Sequence, residues 1–362
     1  MLAVLAACGD EETNDAGATA TAEGTSAAGV TATSGEAGDE LVVVASNSII
    51  GSLTRQVAGD QATVIDLIPS GVDPHTYEPS VDDARNIAGA DLALFNGLEL
   101  DDNLVSFVED AQAGVPVVVV TEGIELLPSG ADDHGEGHEE HQDEHHQEGT
   151  PAAEEHHEHE SGTAEAGDEH EHEHEGEGEA GHEHGEFDPH VWQDPIRAKV
   201  MVDNIAAALA EVDPDHADDY RANAEAYKER LDEVDAEIQA LVDEIPDENR
   251  KIVTNHDALG YFADRYGFEV VGTVIPSTST DAEPSAQEIA ELTELIEAEQ
   301  VQAIFAEELV DPKIAEQLAN DTGVQIVTGI YTDQVGEPGT PAETLDGMLL
   351  ENARKFHDAL SN

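Results

Sequence analysis

Three histidines of this chain stand where an imidazole can do chemistry. His75 lies in IPSGVDPHTYEPS, His190 in FDPHVWQDP and His256 in VTNHDALGYF. Neutral imidazole is the commonest side-chain ligand for zinc and serves copper and nickel as well. Each of the three follows a predicted strand or the loop after one. The first two share a D-P-H tripeptide, in which proline stiffens the backbone just before the ring. An oxygen donor can be sought at the corresponding place in the last β/α unit, where strand-like VQIVTG is followed by IYTDQVG and Asp333. Glu307, Glu308, Asp257 and Asp281 are other acids that could reach the same region. Three imidazoles and one carboxylate make a donor set that suits tetrahedral zinc. His216 in DPDHADDY and His357 in KFHDALSN sit in polar helical contexts and read as exposed residues outside any site. Trp192, the chain's one tryptophan, reads as a packing residue beside His190 rather than a ligand.

Positioning these groups calls for an α/β scaffold. LVVVAS (41–46), ATVIDLI (62–68), DLALFN (91–96) and VPVVVV (115–120) read as buried parallel strands. Helical spacing falls between them, at 48–59, 80–90 and 98–112. The second half repeats the order, with strands at 251–255, 269–275, 301–307 and 324–329 and helices at 256–266, 284–299, 312–322 and 344–360. Alternating β/α units with right-handed crossovers give two parallel-sheet lobes. All four candidate ligands then lie beyond the carboxyl ends of strands, where open α/β sheets bind ligands. His75 and His190 come from the first half, His256 and Asp333 from the second.

Between the halves, Tyr220, Ala224, Tyr227, Leu231, Val234, Ile238, Leu241 and Ile245 recur at steps of four and three, forming one apolar stripe. Asp213-Pro214 supplies a start and Pro246 a stop, so the spacing predicts a single helix over 214–245, roughly 48 Å long. Such a helix would join the lobes as a stiff strut. The expected organisation is a residual signal and lipobox at 1–8, a flexible tether at 9–40, and an N-terminal lobe at 41–213 interrupted by a disordered tract at 131–186. A linking helix at 214–246 and a C-terminal lobe at 247–362 complete it.

The tract at 131–186 holds thirteen of the eighteen histidines and twenty-two carboxylates, with no lysine or arginine. So acidic a segment cannot bury enough apolar surface to offset its chain entropy. Its imidazoles and carboxylates are suited to gathering divalent cations at low affinity. The formal net charge is −70, and without the tract's acids it is still −48. That balance argues against nucleic-acid binding, which needs a basic face. No run approaches the ~20 apolar residues of a membrane-spanning helix. A single cysteine, Cys8, excludes an internal disulfide and any multi-cysteine metal site. Its setting, LAAC, resembles a bacterial lipobox after a short apolar stretch, and the Gly/Ala/Thr/Ser/acid-rich residues that follow have the composition of a tether.

The ordered series LVVVASNSIIGSLTRQVAGD, IPSGVDPHTYEPS, FDPHVWQDP, NHDALGYFADRYG, STSTDAEPSAQEIAELTELI and IYTDQVG resembles the metal-ion solute-binding lipoproteins of ABC importers, of the cluster A-I type. The resemblance runs from about Leu41 to the C-terminus. It implies two α/β lobes joined by a long backbone helix, with the metal between them, and it carries ligation onto His75, His190, His256 and Asp333. It further implies transported Zn2+ as the ligand, a membrane permease as partner, a lipid anchor at Cys8 outside the cytoplasm, action as a monomer, and no catalysis. In that family a His/acid-rich loop before the second ligand histidine marks zinc members. Manganese and iron members typically carry glutamate where this chain has His256, and an oxygen donor there favours harder ions.

A manganese- or iron-binding member is the alternative within the family. A secreted zinc hydrolase is the alternative outside it, since catalytic zinc keeps three ligands and an open position beside a general base. Asp257 could be that base, or an outer partner of His256. Outside the tract at 131–186 the sequence has no H-E-x-x-H motif and no obvious nucleophile, and it offers a fourth ligand.

Overall fold

Period-two burial along β1 (Leu41–Asn47) shows how the first sheet is covered. Val43 and Ala45 face one core while Val44 faces another on the opposite side, as expected for a parallel strand buried on both faces. The computed structural model describes residues 41–111, 114–130 and 186–362; Cys8, the tether at 9–40 and the tract up to residue 185 lie outside them. The first lobe continues through α1 (Ser48–Ala58), β2 (Ala62–Ile68), α2 (Val81–Ala88), β3 (Leu92–Phe95), α3 (Asp102–Ala111) and β4 (Val117–Val119). Two helices follow, α4 (Pro195–Val212) and α5 (Ala217–Val242). The second lobe comprises β5 (Lys251–Thr254), α6 (Gly260–Tyr266), β6 (Glu269–Thr273), α7 (Ala286–Ala298), β7 (Ala303–Glu307), α8 (Lys313–Thr322), β8 (Gln325–Ile330) and α9 (Leu345–Leu360). Both sheets are wholly parallel and share one order, β2-β1-β3-β4 and β6-β5-β7-β8. The expected pair of parallel-sheet α/β lobes is what the chain forms.

Several local expectations are corrected. VPVVVV is not a buried strand: β4 is the edge of its sheet, and Val117 and Val119 are 40% and 37% exposed. The helix expected from residue 98 begins at Asp102, because Leu98 and Glu99 take left-handed φ values of 56° and 66°. Asp101 fixes that turn by accepting the backbone N–H groups of Asn96 (2.6 Å) and Gly97 (2.8 Å). The helix expected from residue 256 begins at Gly260, which leaves His256 on a loop.

The strut is shorter than its pattern suggested. Pro214–His216 form a 3-10 turn, and α5 proper has 26 residues, about 39 Å. Its buried stripe ends on Val242 rather than Leu241. It is also not alone. Helix α4, not among the expected elements, is capped by Asp194 with Pro195 at its first position and lies antiparallel along α5, with Lys199 paired to Asp232 (2.5 Å) and Lys228 to Asp203 (2.6 Å). One apolar core runs from β1 and α1 through α4 and α5 to α6 and α9. Separate clusters cover the outer face of each sheet. The two lobes therefore share a core as well as a connection.

Candidate metal centre

The four residues singled out from the sequence turn toward the same point, three of them from beyond the carboxyl ends of strands and His190, contrary to expectation, from a loop with no strand directly before it. His75 follows β2, His256 follows β5, Asp333 follows β8, and His190 precedes the single 3-10 turn that leads into α4. Their candidate ligand atoms all lie within 4.8 Å of one another. Nε2 of His190 is 3.4 Å from Nε2 of His75 and 3.4 Å from Nε2 of His256. Asp333 Oδ1 is 3.1 Å from His190 Nε2 and 3.8 Å from His75 Nε2, while Oδ2 is 3.3 Å from His256 Nε2. Zinc–nitrogen bonds of ~2.0–2.1 Å give tetrahedral edges of about 3.3–3.4 Å, so the spacing suits one small divalent ion. Asp333 Oδ1, fully buried, finds no aligned hydrogen-bond donor among the described residues, which fits an oxygen that serves a cation.

Behind the ligands stand carboxylates. Asp188 Oδ1 takes both the backbone N–H of His190 (2.9 Å) and its ring Nδ1 (2.7 Å). Glu307, at the end of β7, receives the backbone N–H groups of Asn255 and His256 (each 2.9 Å), ring Nδ1 of His256, and the hydroxyl of Thr332 (2.9 Å). A carboxylate on Nδ1 holds that nitrogen protonated and turns the Nε2 lone pair inward. The shared D-P-H tripeptide thus does two jobs, because Asp73 bonds the backbone N–H of His75 (2.9 Å) and spends its other oxygen on Thr280 of the second lobe (2.5 Å).

Charge follows the same pattern. Burial alone would depress His190, but the Asp188 charge and hydrogen bond, with Asp333 beyond, push it up to about 10. Burial is likewise outweighed at His256, which Glu307 and Asp333 raise. At Asp333 burial would raise the carboxyl, yet His256 and the other imidazoles hold it well below the usual range.

The competing acids are placed elsewhere. Glu307 reaches the site as the outer partner of His256, the role considered for Asp257. Asp257 donates its N–H to Ser277 O (2.9 Å), and its side chain lines a separate cavity with Glu288 and Glu291. Glu308 and Asp281 are exposed. His216 pairs with Asp213 (2.6 Å) on the surface, and His357, half-buried rather than exposed, pairs with Glu244 (3.1 Å). Trp192 is fully buried, its ring 5.4 Å from that of His190, and its Nε1–H donates to Thr332 O (2.8 Å).

Residues 43–359 match the family model described as zinc-uptake complex component A, periplasmic. The chain belongs to this family. Zinc-uptake component A proteins are metal-binding solute-binding components of ABC importers that work outside the cytoplasm and are not enzymes, which sets the hydrolase reading aside. The manganese-binding lipoprotein MntA of Halalkalibacterium halodurans is 31% identical over 326 residues, 90% of each chain. The iron ABC transporter substrate-binding lipoprotein MtsA of Streptococcus pyogenes is 27% identical over 89% of this chain and 90% of its own. Among solved structures, the periplasmic zinc-binding protein TroA of Treponema pallidum superposes with a TM-score of 0.69 at 27% identity, covering 89% of this chain and all of that one. No helix among the described residues is long and apolar enough to cross a membrane.

Proposed function

We propose that this member of the family captures zinc outside the cell membrane and hands it to an ABC permease, with His75, His190, His256 and Asp333 as the ligands. The observation that carries the reading is a three-imidazole, one-carboxylate set whose Nε2 and Oδ atoms sit mostly 3.1–3.4 Å apart. Borderline-soft zinc takes nitrogen donors readily, whereas manganese and iron(II) rank lower in affinity for the same donors and favour oxygen. His256 supports zinc in particular, because the resembled manganese and iron members typically carry glutamate there. Two relatives whose names specify manganese and iron support the rival reading, and Asp333 offers both of its oxygens to an ion that wants a fifth donor.

The deciding experiment is metal content and stoichiometry of protein purified without a metal-binding tag, followed by competition among zinc, manganese and iron(II). One tightly held zinc per chain, besides weakly held ions in the tract and displaced by neither rival at equal concentration, is expected. His256→Glu should narrow the preference toward manganese. A wild type that prefers manganese would overturn the zinc assignment.

Lipidation of Cys8 fits the rest of the reading. A lipid anchor with 9–40 as tether would keep the lobes near the permease, and the tract at 131–186 would raise the local zinc concentration at the mouth of the site.

A further inference from the structure

Of the four candidate ligands, His75 is held differently from the others. The side chains of His190, His256 and Asp333 are at most 1% exposed, whereas His75 keeps 5% and alone among the four lines a cavity of about 280 Å3. The walls of that cavity carry the carboxylates of Glu99, Asp102 and Asp281. Asp188 and Glu307 fix the rings of His190 and His256 directly. Asp73 instead fixes the backbone of His75 and ties it across the cleft to the hydroxyl of Thr280.

The loop bearing His75 is stitched to the second lobe at one other place. Ser70 Oγ donates to Val335 O (2.9 Å), and the Gly71 N–H donates to the side chain of Gln334. Both contacts fall on the two residues directly after Asp333. Between that seam and α2, Asp73–Thr280 is a hydrogen bond across the lobes two residues from His75. Thr280 itself sits in a loop organised by Ser277 and Asp281, whose bonds to Ser279 are 2.9 and 2.7 Å. Parting one hydroxyl–carboxylate bond would free His75 toward the acidic cavity while the shared apolar core stays shut.

We propose that the Asp73–Thr280 hydrogen bond is an inter-lobe latch that keeps His75 in the ligand set, so that His75 is the last ligand to close on the ion and the first to let it go. The proposal rests on the metal-site reading above. Asp73 and Thr280 act as positioning residues, and Glu99, Asp102 and Asp281 line the route that an outgoing cation meets first.

The test loads the full chain with zinc and follows its transfer to an excess of chromophoric chelator by stopped flow. Thr280→Val keeps the shape and removes the donor, so zinc should leave about tenfold faster or more, the scale of one bond to a charged acceptor. Thr280→Ser, which keeps the hydroxyl, should restore the wild-type rate. Asp73→Asn, which weakens the latch from the other side, should also release faster and serves if the valine variant does not fold. In a His75→Ala background, Thr280→Val should have no further effect. Wild-type release rates in both latch variants, or an undiminished effect without His75, would overturn the latch while leaving the site intact. A wild type that takes up no zinc would overturn the site and the latch together.

Discussion

Glu307 meets His256 at two points: one carboxylate oxygen takes the backbone N–H at 2.9 Å, and the other takes ring Nδ1. Fully buried and also bonded to Asn255 and Thr332, Glu307 cannot turn away without breaking the loop that presents the ring. Glu307→Gln would set an amide against these donors and release the Nδ1 tautomer. Zinc affinity should fall about 10- to 100-fold, as is usual when the carboxylate behind a ligand histidine is lost. Chelator competition reads this directly, and an unchanged affinity would contradict the role given to Glu307.

Protons compete with the ion in a predictable direction. The Asp188 charge overrides burial and lifts His190 to about 10, against ~6.5 in an unfolded chain. Its contribution to the stability of the metal-free protein is therefore complete below about pH 6.5 and is lost as pH rises toward about 10. Asp333, held below its ordinary value, contributes above ~3.8 and loses that contribution as pH falls further. With EDTA present, the melting temperature should decline from pH 6.5 to pH 10. Zinc uptake at pH 7 should release protons, fewer as pH nears 10. Calorimetry in two buffers of different ionisation enthalpy measures the release, and none at pH 7 would count against this account.

Removing the His/acid tract should leave one tight site and abolish several weak ones. The ends of the tract already meet: Ser129 N–H donates to Glu186 O (3.2 Å), Asp188 N–H donates to Leu127 O (2.9 Å), and Pro128 bridges Phe187 in antiparallel fashion. A short turn from Gly130 to Phe187 can therefore replace it without moving His190. Loss of the tight site along with the tract, seen by zinc titration, would show that the ligands lie elsewhere.

Lobe motion on binding should be small. The core shared by α1, α4, α5, α6 and α9 would have to open for a wide hinge, at roughly 25 cal/mol for each Å2 of apolar surface exposed. Solution scattering with and without zinc should give nearly equal radii of gyration, and a rotation of tens of degrees would refute the point. Trp192, packed 5.4 Å from His190, should report the same event by a change in emission.

Legibility differed from place to place for physical reasons. The strands were readable because β-branched runs buried on both faces leave few alternatives, as Val43, Val44 and Ala45 illustrate. Val117 and Val119 have the same composition but lie on an edge, and position in a sheet is a property of the neighbours rather than of the run. Helix α4 is harder to read: its buried Ala198, Met201, Val202, Ile205 and Leu209 do share one face, but apolar Val200, Ala207 and Ala210 on the opposite face weaken the contrast that marks an amphipathic helix.

The sequence by itself determined the repeated α/β plan, the strand-end placement of His75, His256 and Asp333, and a charge unsuited to nucleic acid. These follow from local patterning and composition, which act over a few residues. Tertiary structure decided which carboxylate serves which imidazole: Asp188 for His190, Glu307 for His256, and Asp73 for a latch to Thr280. Asp188 and His190 are two positions apart, but Glu307 and His256 are 51 apart within one lobe and Asp73 and Thr280 are 207 apart across the two, and only tertiary packing brings those last two pairs within a hydrogen bond's reach.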